Sequence, residues 1–294
     1  MKNKILTGLL LVLIGGWGSL SAQSAGSNYS RQVNTLIGTK GVGLTSGYLY
    51  PGATYPYGMV QFTPSYFSKR SGFVINQLSG GGCEHMGNFP TFPVKGKLKM
   101  SPDNILNYRI NISEEKGHAG YYEAKVQEDI HAKLTVTERT GMASYEYPAD
   151  QQYGTVIIGG GISATPIDQA AIVITAPNKC EGYAEGGNFC GLRTPYKVYF
   201  VAEFDTDALE SGTWKRNELK PNTTFAEGEY SGVYFTFDVN KKKNIQYKIG
   251  VSYVSVENAR ENLKAENTGW DFLQIQNQAE SKCCLLYTSP SPRD

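Results

Sequence analysis

A two-residue rhythm of apolar side chains constrains this chain more than anything else in it. Between Lys197 and Phe204, the residues Val198, Phe200, Ala202 and Phe204 fall on one side of an extended backbone, and Lys197, Tyr199 and Glu203 on the other. Successive side chains of a strand point to opposite faces, so such a run buries one face and wets the other. Ala132 to Arg139 repeats the pattern, with Leu134 and Val136 opposite Lys133, Thr135 and Thr137. Val233 to Val239 and Ile245 to Val256 carry the same theme, and Thr155 to Ile158 and Ala171 to Thr175 are short apolar runs of strand length. The 20 tyrosines and 33 glycines suit pleated strands and the turns that join them. No repeat of equal period runs through the chain, which disfavours a propeller or a solenoid. The expected class is mainly β, a large antiparallel sandwich.

The rhythm changes after Val254. Ser255 is placed to cap a helix with Val256, Ala259 and Leu263 on one stripe, and Thr268-Gly269-Trp270-Asp271 reads as a capping-box-like start for a second, carrying Phe272, Ile275 and Ala279. Helices at the end of a β domain either lead to another domain or pack back on the sheet. The expectation is a linker, residues 255–282, to a helical domain beyond this chain. From Cys283 to Asp294 the composition breaks, and this stretch is read as a non-native tail.

At the other end, Lys2 and Lys4, the apolar run Ile5 to Ile14 and the small residues Ser19 to Ala25 read as a secretory signal, residues 1–24. That run is too short for a membrane span of roughly 20 residues. The mature protein, with its main domain at 30–254, is expected to be exported, either periplasmic or extracellular. With 28 basic and 27 acidic residues the charge is balanced, which argues against nucleic acid or an anionic surface as partner. Five cysteines leave one unpaired at least. Cys180 and Cys190 flank a glycine-rich turn and either pair in an oxidising compartment or stand as two buried thiols; pairing would leave Cys83 alone.

The stretch with the most chemistry runs from Gly72 to Gly96. Gly80, Gly81 and Gly82 open backbone angles closed to other residues and let another molecule approach the main chain. A thiol (Cys83), a carboxylate (Glu84), an imidazole (His85) and a carboxamide (Asn88) follow, and Pro90 and Pro93 stiffen the exit. A long connection between strands is the plain reading; a binding loop is the sharper one.

These residues resemble the amino-terminal domain of glycoside hydrolase family 92, whose members are exo-acting α-mannosidases. The likeness rests on Val33-Asn34-Thr35-Leu36-Ile37-Gly38-Thr39, the Pro51 to Gln61 segment and the Gly72 to Gly96 loop. It continues through Gly120-Tyr121-Tyr122, Leu134 to Arg139, Cys190-Gly191 with Tyr196 to Phe204, and Val254 to Leu263. The resemblance implies a large, supersandwich-like β-sandwich joined by linker helices to an α/α toroid. It also implies a calcium ion and inverting hydrolysis, in which one carboxylic acid protonates the leaving oxygen and a second carboxylate, roughly 6.5–9.5 Å away, activates water. Both carboxylates and most calcium ligands are expected on the toroid, so no catalytic or metal-ligating residue is assigned here. The sandwich's share of the sugar pocket is expected at Gly81, Gly82, Cys83, Glu84, His85 and Asn88. Main-chain groups at the glycines reach a hydroxyl, and Glu84 and Asn88 offer directional partners. The implied partners are a mannose-containing glycan and the chain's own catalytic domain. Asn76 and Gln77 stand where many members carry histidines, which leaves the linkage open.

Each candidate also has a plainer role. His85 meets sugar or the other domain, or is a structural histidine; His118 and His131 are ordinary. Tyr48, Tyr50, Tyr55 and Tyr57 offer faces to a sugar ring or pack beneath the loop. Glu114-Glu115, Glu128-Asp129 and Lys241 to Lys243 read as solvated turn charges. The competing functions are an autonomous carbohydrate-binding module and a scaffold for the helical domain.

Overall fold

The computed structural model describes residues 29–39, 49–65, 72–103, 105, 107–108 and 111–288. The expected signal segment, Tyr48 and residues 289–294 lie outside the described residues. In chain order the strands are β1 (Ala53–Thr54), β2 (Gln61–Pro64), β3 (Phe73–Val74), β4 (Thr91–Lys95), β5 (Ile112–His118), β6 (Tyr121–Val126), β7 (Ile130–Val136), β8 (Thr140–Glu146) and β9 (Tyr153–Gly159). They continue as β10 (Ile167–Ala176), β11 (Lys179–Phe189), β12 (Leu192–Phe204), β13 (Glu210–Lys215), β14 (Glu218–Pro221), β15 (Phe225–Glu227), β16 (Ser231–Asp238) and β17 (Asn244–Ser252). Helices α1 (Val256–Glu266) and α2 (Phe272–Thr288) follow.

The strands form two antiparallel sheets. One has eight strands in the order β1-β2-β3-β4-β9-β16-β13-β14, the other nine in the order β15-β10-β11-β12-β17-β8-β7-β6-β5. The alternation in the sequence aims rings from both sheets into the space between them. Phe204 of β12 lies 5.0 Å from each of Phe235 and Phe237 of β16, and 5.3 Å from Tyr247 of β17. Farther along, Phe73 of β3 meets Tyr122 and Tyr145 of the opposite sheet at 6.2 and 6.4 Å. Val198, Phe200, Ala202 and Phe204 are all fully buried, as the two-residue rhythm predicts.

Several boundaries differ from the sequence reading. The strand expected from Ile245 to Val256 stops at Ser252, because Ser255 accepts the N–H of Asn258 on its Oγ at 3.1 Å and α1 begins at Val256. The second helix is capped by Asp271, not Thr268; Asp271 Oδ1 accepts the Gln274 N–H at 3.0 Å. Glu114 and Glu115 sit on β5 and not in a turn, and Glu115 accepts a 2.9 Å bond from the buried Tyr122 hydroxyl. The change of composition at Cys283 does not end α2, which runs on through it.

Both helices pack back on the outer face of the nine-stranded sheet. Ala259 and Leu263 of α1 bury against Val201. Close approach needs a glycine beneath: a Cβ at Gly250 of β17 would stand 2.5 Å from the Ala259 carbonyl oxygen. Phe272 and Ile275 of α2 cover Met142, with Tyr121 beside them. That cover explains why Val201 and Met142, which face away from the central core, are nevertheless buried. A 2.7 Å ion pair from Arg31 to the buried Glu280 fastens the start of the described chain to α2.

Candidate functional site

The Gly72 to Gly96 stretch begins and ends as paired strands, with Phe73 of β3 opposite Thr91 of β4. Between them the chain makes a long excursion whose neck is closed by two asparagines. The Asn88 N–H donates to Asn76 Oδ1 at 2.8 Å, and Asn76 Nδ2 donates to Asn88 Oδ1 at 2.9 Å. The Tyr196 hydroxyl of β12 donates to the same Asn88 oxygen at 2.9 Å. Burial pushes the Tyr196 phenol up to about 12, so it remains a donor. Both asparagines are buried, and Asn88 Nδ2 has no hydrogen-bond partner among the described residues.

Above the neck, Gly80 and Gly82 take the left-handed backbone at φ 72° and 76°. Among the described residues nothing lies within 4 Å of where a Cβ on Gly82 would stand, which leaves that side of its main chain open to approach. Gly81 serves a different purpose: a Cβ there would come within 2.6 Å of His85 Nε2, and its absence lets the imidazole lie under the main chain. His85 is only 1% exposed, and burial lowers its pKa, which favours the neutral ring. Phe189, at the end of β11, packs on that ring with centroids 5.2 Å apart.

The cysteine pairing differs from the sequence reading. Cys83 is bonded to Cys190, with Cα atoms 5.4 Å apart, and Cys180 is a free, buried thiol whose pKa burial raises. Cys180 lies at the start of β11 and Cys190 just past its end. At about 3.3 Å of rise per residue the two stand on the order of 30 Å apart, far beyond disulfide reach. The glycine-rich stretch between them is strand β11, not a turn. Cys83 is therefore not alone: it ties the loop to the tip of the β11–β12 hairpin.

The six expected residues are thus brought into one loop at different depths. Gly82 and Glu84 are exposed, Gly81 and Cys83 half-buried, and His85 and Asn88 buried. Of the residues that support them, Phe189 was not singled out from the sequence, and Cys190 and Tyr196 were named there without this part. Only position on the neighbouring hairpin gives them this part, and no local pattern announces it. The tyrosines divide otherwise. Tyr50 is buried, and Tyr55 lines a cleft of about 410 Å³ with Glu138, Arg139, Glu266 and Asp271; none of the residues from Gly81 to Asn88 lines it. Tyr57, 92% exposed, lines a separate hollow with Thr35 and Cys283.

Chemically the loop offers main-chain groups at an open glycine and one accessible carboxylate. Those suit hydroxyls. They do not suit calcium, which takes about six to eight oxygens; among the described residues no group of three or more His, Cys, Asp or Glu gathers. No step through a metal is derived for these residues. Among the described residues no helix is long and apolar enough to cross a membrane.

Known proteins place these observations. An uncharacterized secreted glycosidase of Arthroderma benhamiae is 26% identical over 85% of this chain and 37% of its own length. A family 92 α-mannosidase from Bacteroides thetaiotaomicron superposes with a TM-score of 0.75 at 23% identity, over 87% of this chain and 37% of that one. It has also been solved with mannoimidazole bound. An inverting mannosidase of the same family and organism superposes with a TM-score of 0.71 at 22% identity, over 85% of this chain and 35% of that one. The chain therefore spans little more than a third of the length of these proteins. The model of the glycosyl hydrolase family 92 N-terminal domain matches residues 32–252, and by that match the chain belongs to glycosyl hydrolase family 92, of which it carries the N-terminal domain.

Proposed function

We propose that this chain is the sugar-pocket-shaping part of an exported, calcium-dependent, inverting exo-α-mannosidase that acts on mannose-containing glycans. On this reading the acid, the base and the calcium ligands belong to a helical domain that follows α2. The observation that carries it is the family match over 32–252; within that range, among the described residues, the glycine loop sets exposed polar groups on an ordered, cross-linked base. The likeness to mannosidases, one of them inverting, supports the reaction class. Export rests on the leader-like residues 1–24 and on the secreted relative.

The residues have separable tasks. Gly82 admits a sugar hydroxyl to its main chain, and Glu84 accepts from a second hydroxyl. His85, neutral under Gly81, and Asn88, at the neck, hold that arrangement from below, and Cys83 anchors it. None of them transfers the proton of the bond-breaking step.

The test compares this chain with the complete protein on α-linked mannose disaccharides. The complete protein should hydrolyse them and lose activity to a chelator, and the 294-residue chain alone should not. Turnover by the isolated chain would refute the division of labour. Binding of mannose disaccharide by the isolated chain, seen as heat in calorimetry, would favour an autonomous carbohydrate-binding module instead.

A further inference from the structure

The loop is fastened to one neighbour at three heights. At the neck, Tyr196 bonds Asn88 at 2.9 Å; in the middle, Phe189 packs on His85 at 5.2 Å; at the tip, Cys190 is bonded to Cys83. All three partners belong to the β11–β12 hairpin, and the cross-link joins positions 107 residues apart. The first two contacts are non-covalent and lie deep in the loop. Of these three contacts the disulfide is the one nearest the tip, where Gly80 to Gly82 have the greatest backbone freedom to lose. Cys190 is exposed and Cys83 half-buried, so the bond is open to solvent.

We propose that the Cys83–Cys190 disulfide is a positioning element for the sugar loop, and that its reduction by a dithiol weakens sugar binding without touching the chemical step. The inference rests on the function proposed above. Holding Gly82 and Glu84 in place before the sugar arrives removes an ordering cost from binding. Reduction returns that cost, because the loop then samples many conformations of which few fit the sugar. The chemistry balances. One thiolate of the dithiol attacks a sulfur of the bridge, the Cys83–Cys190 bond breaks and a mixed disulfide forms. The second thiolate then displaces the protein sulfur, so that the protein gains two electrons and two protons as two thiols and the reagent leaves as a cyclic disulfide. The bond acts through Gly82 and Glu84; neither sulfur is a catalytic group.

Three measurements on the complete protein test this together. Non-reducing peptide mapping should recover the Cys83 peptide joined to the Cys190 peptide; a Cys180–Cys190 link, or none, overturns the proposal. Amide exchange in the Gly80 to Asn88 stretch should quicken in a C83S/C190S variant and in dithiol-treated protein, while amides of β9 and β16 keep their protection. Unchanged exchange at the loop overturns it. In kinetics, reduction should raise KM for a mannose disaccharide by about tenfold, with the loss falling on KM and not on kcat. Reoxidation should restore KM, and the C83S/C190S variant should ignore the reductant. A kcat loss at constant KM, or a variant that still responds, counts against the positioning role. If the complete protein cleaves no mannoside at all, the functional reading fails by itself, and exchange still decides what the bond does to the loop.

Discussion

Phe204 and Glu84 mark two kinds of ground in this molecule. Phe204 is fully buried among Phe235, Phe237 and Tyr247, where both sheets supply rings and the buried Tyr247 hydroxyl is met by Thr91 Oγ1 at 3.2 Å. Glu84 stands exposed on a loop held by paired amides, a buried imidazole and a covalent bond. The first region derives its order from apolar area removed from water, which is indifferent to direction. The second buries polar groups, His85, Asn76 and Asn88, and obtains order from directional bonds and a cross-link. If the loop admits a sugar, as proposed, it cannot be filled with its own side chains, and a cross-link with directional bonds is the alternative way of being rigid.

Substitutions should separate the two regions by size of effect. Phe204→Ala empties a site shared by both sheets and should cost about 3–5 kcal/mol in denaturant unfolding; a cost below about 1 kcal/mol would mean that the interface between the sheets is looser than described. Ser255→Ala removes the bond to the Asn258 N–H and should cost about 1 kcal/mol, read in the same way. No change would deny the cap its part in ending β17.

A smaller effect should come from acid. Burial lowers the His85 pKa below 6.5, so the unfolded chain binds this proton more readily than the folded one. The contribution is present above 6.5 and is lost as pH falls from there toward the lower folded value. The protection of loop amides, after correction for their slower intrinsic exchange in acid, should therefore fall below 6.5, and His85→Gln should flatten that part of the profile. An identical profile in the variant would show that some other group titrates. Smallest of all is the stability change for Glu84→Ala, within about 0.5 kcal/mol, since its side chain lies at the surface.

The same contrast explains what could be read from the residues alone. Val198, Phe200, Ala202 and Phe204 announce their buried face by spacing, because a strand's geometry is local. Ser255 announces its helix for the same reason. The helices' docking face was less legible: Val201 and Met142 look like outward positions until α1 and α2 cover them. The loop's residues stood out by type, as glycines, a thiol and an imidazole in a row. Their depths did not, because His85 is buried by Phe189 and Asn88 by Tyr196, each more than a hundred positions away in the chain. The disulfide misled for that reason. Cys180 and Cys190 are near in sequence but lie at opposite ends of one strand, and the true partner of Cys190 arrives from a different sheet.

The central claim is that the loop holds the sugar while bond cleavage happens elsewhere. The most direct measurement is kcat/KM for a mannose disaccharide in the complete protein carrying Glu84→Ala, taken beside its thermal unfolding midpoint. The kcat/KM should fall about tenfold or more, the worth of one hydrogen bond to a charged acceptor, with the midpoint unmoved. An unchanged kcat/KM would contradict that claim and leave the sandwich as a scaffold only.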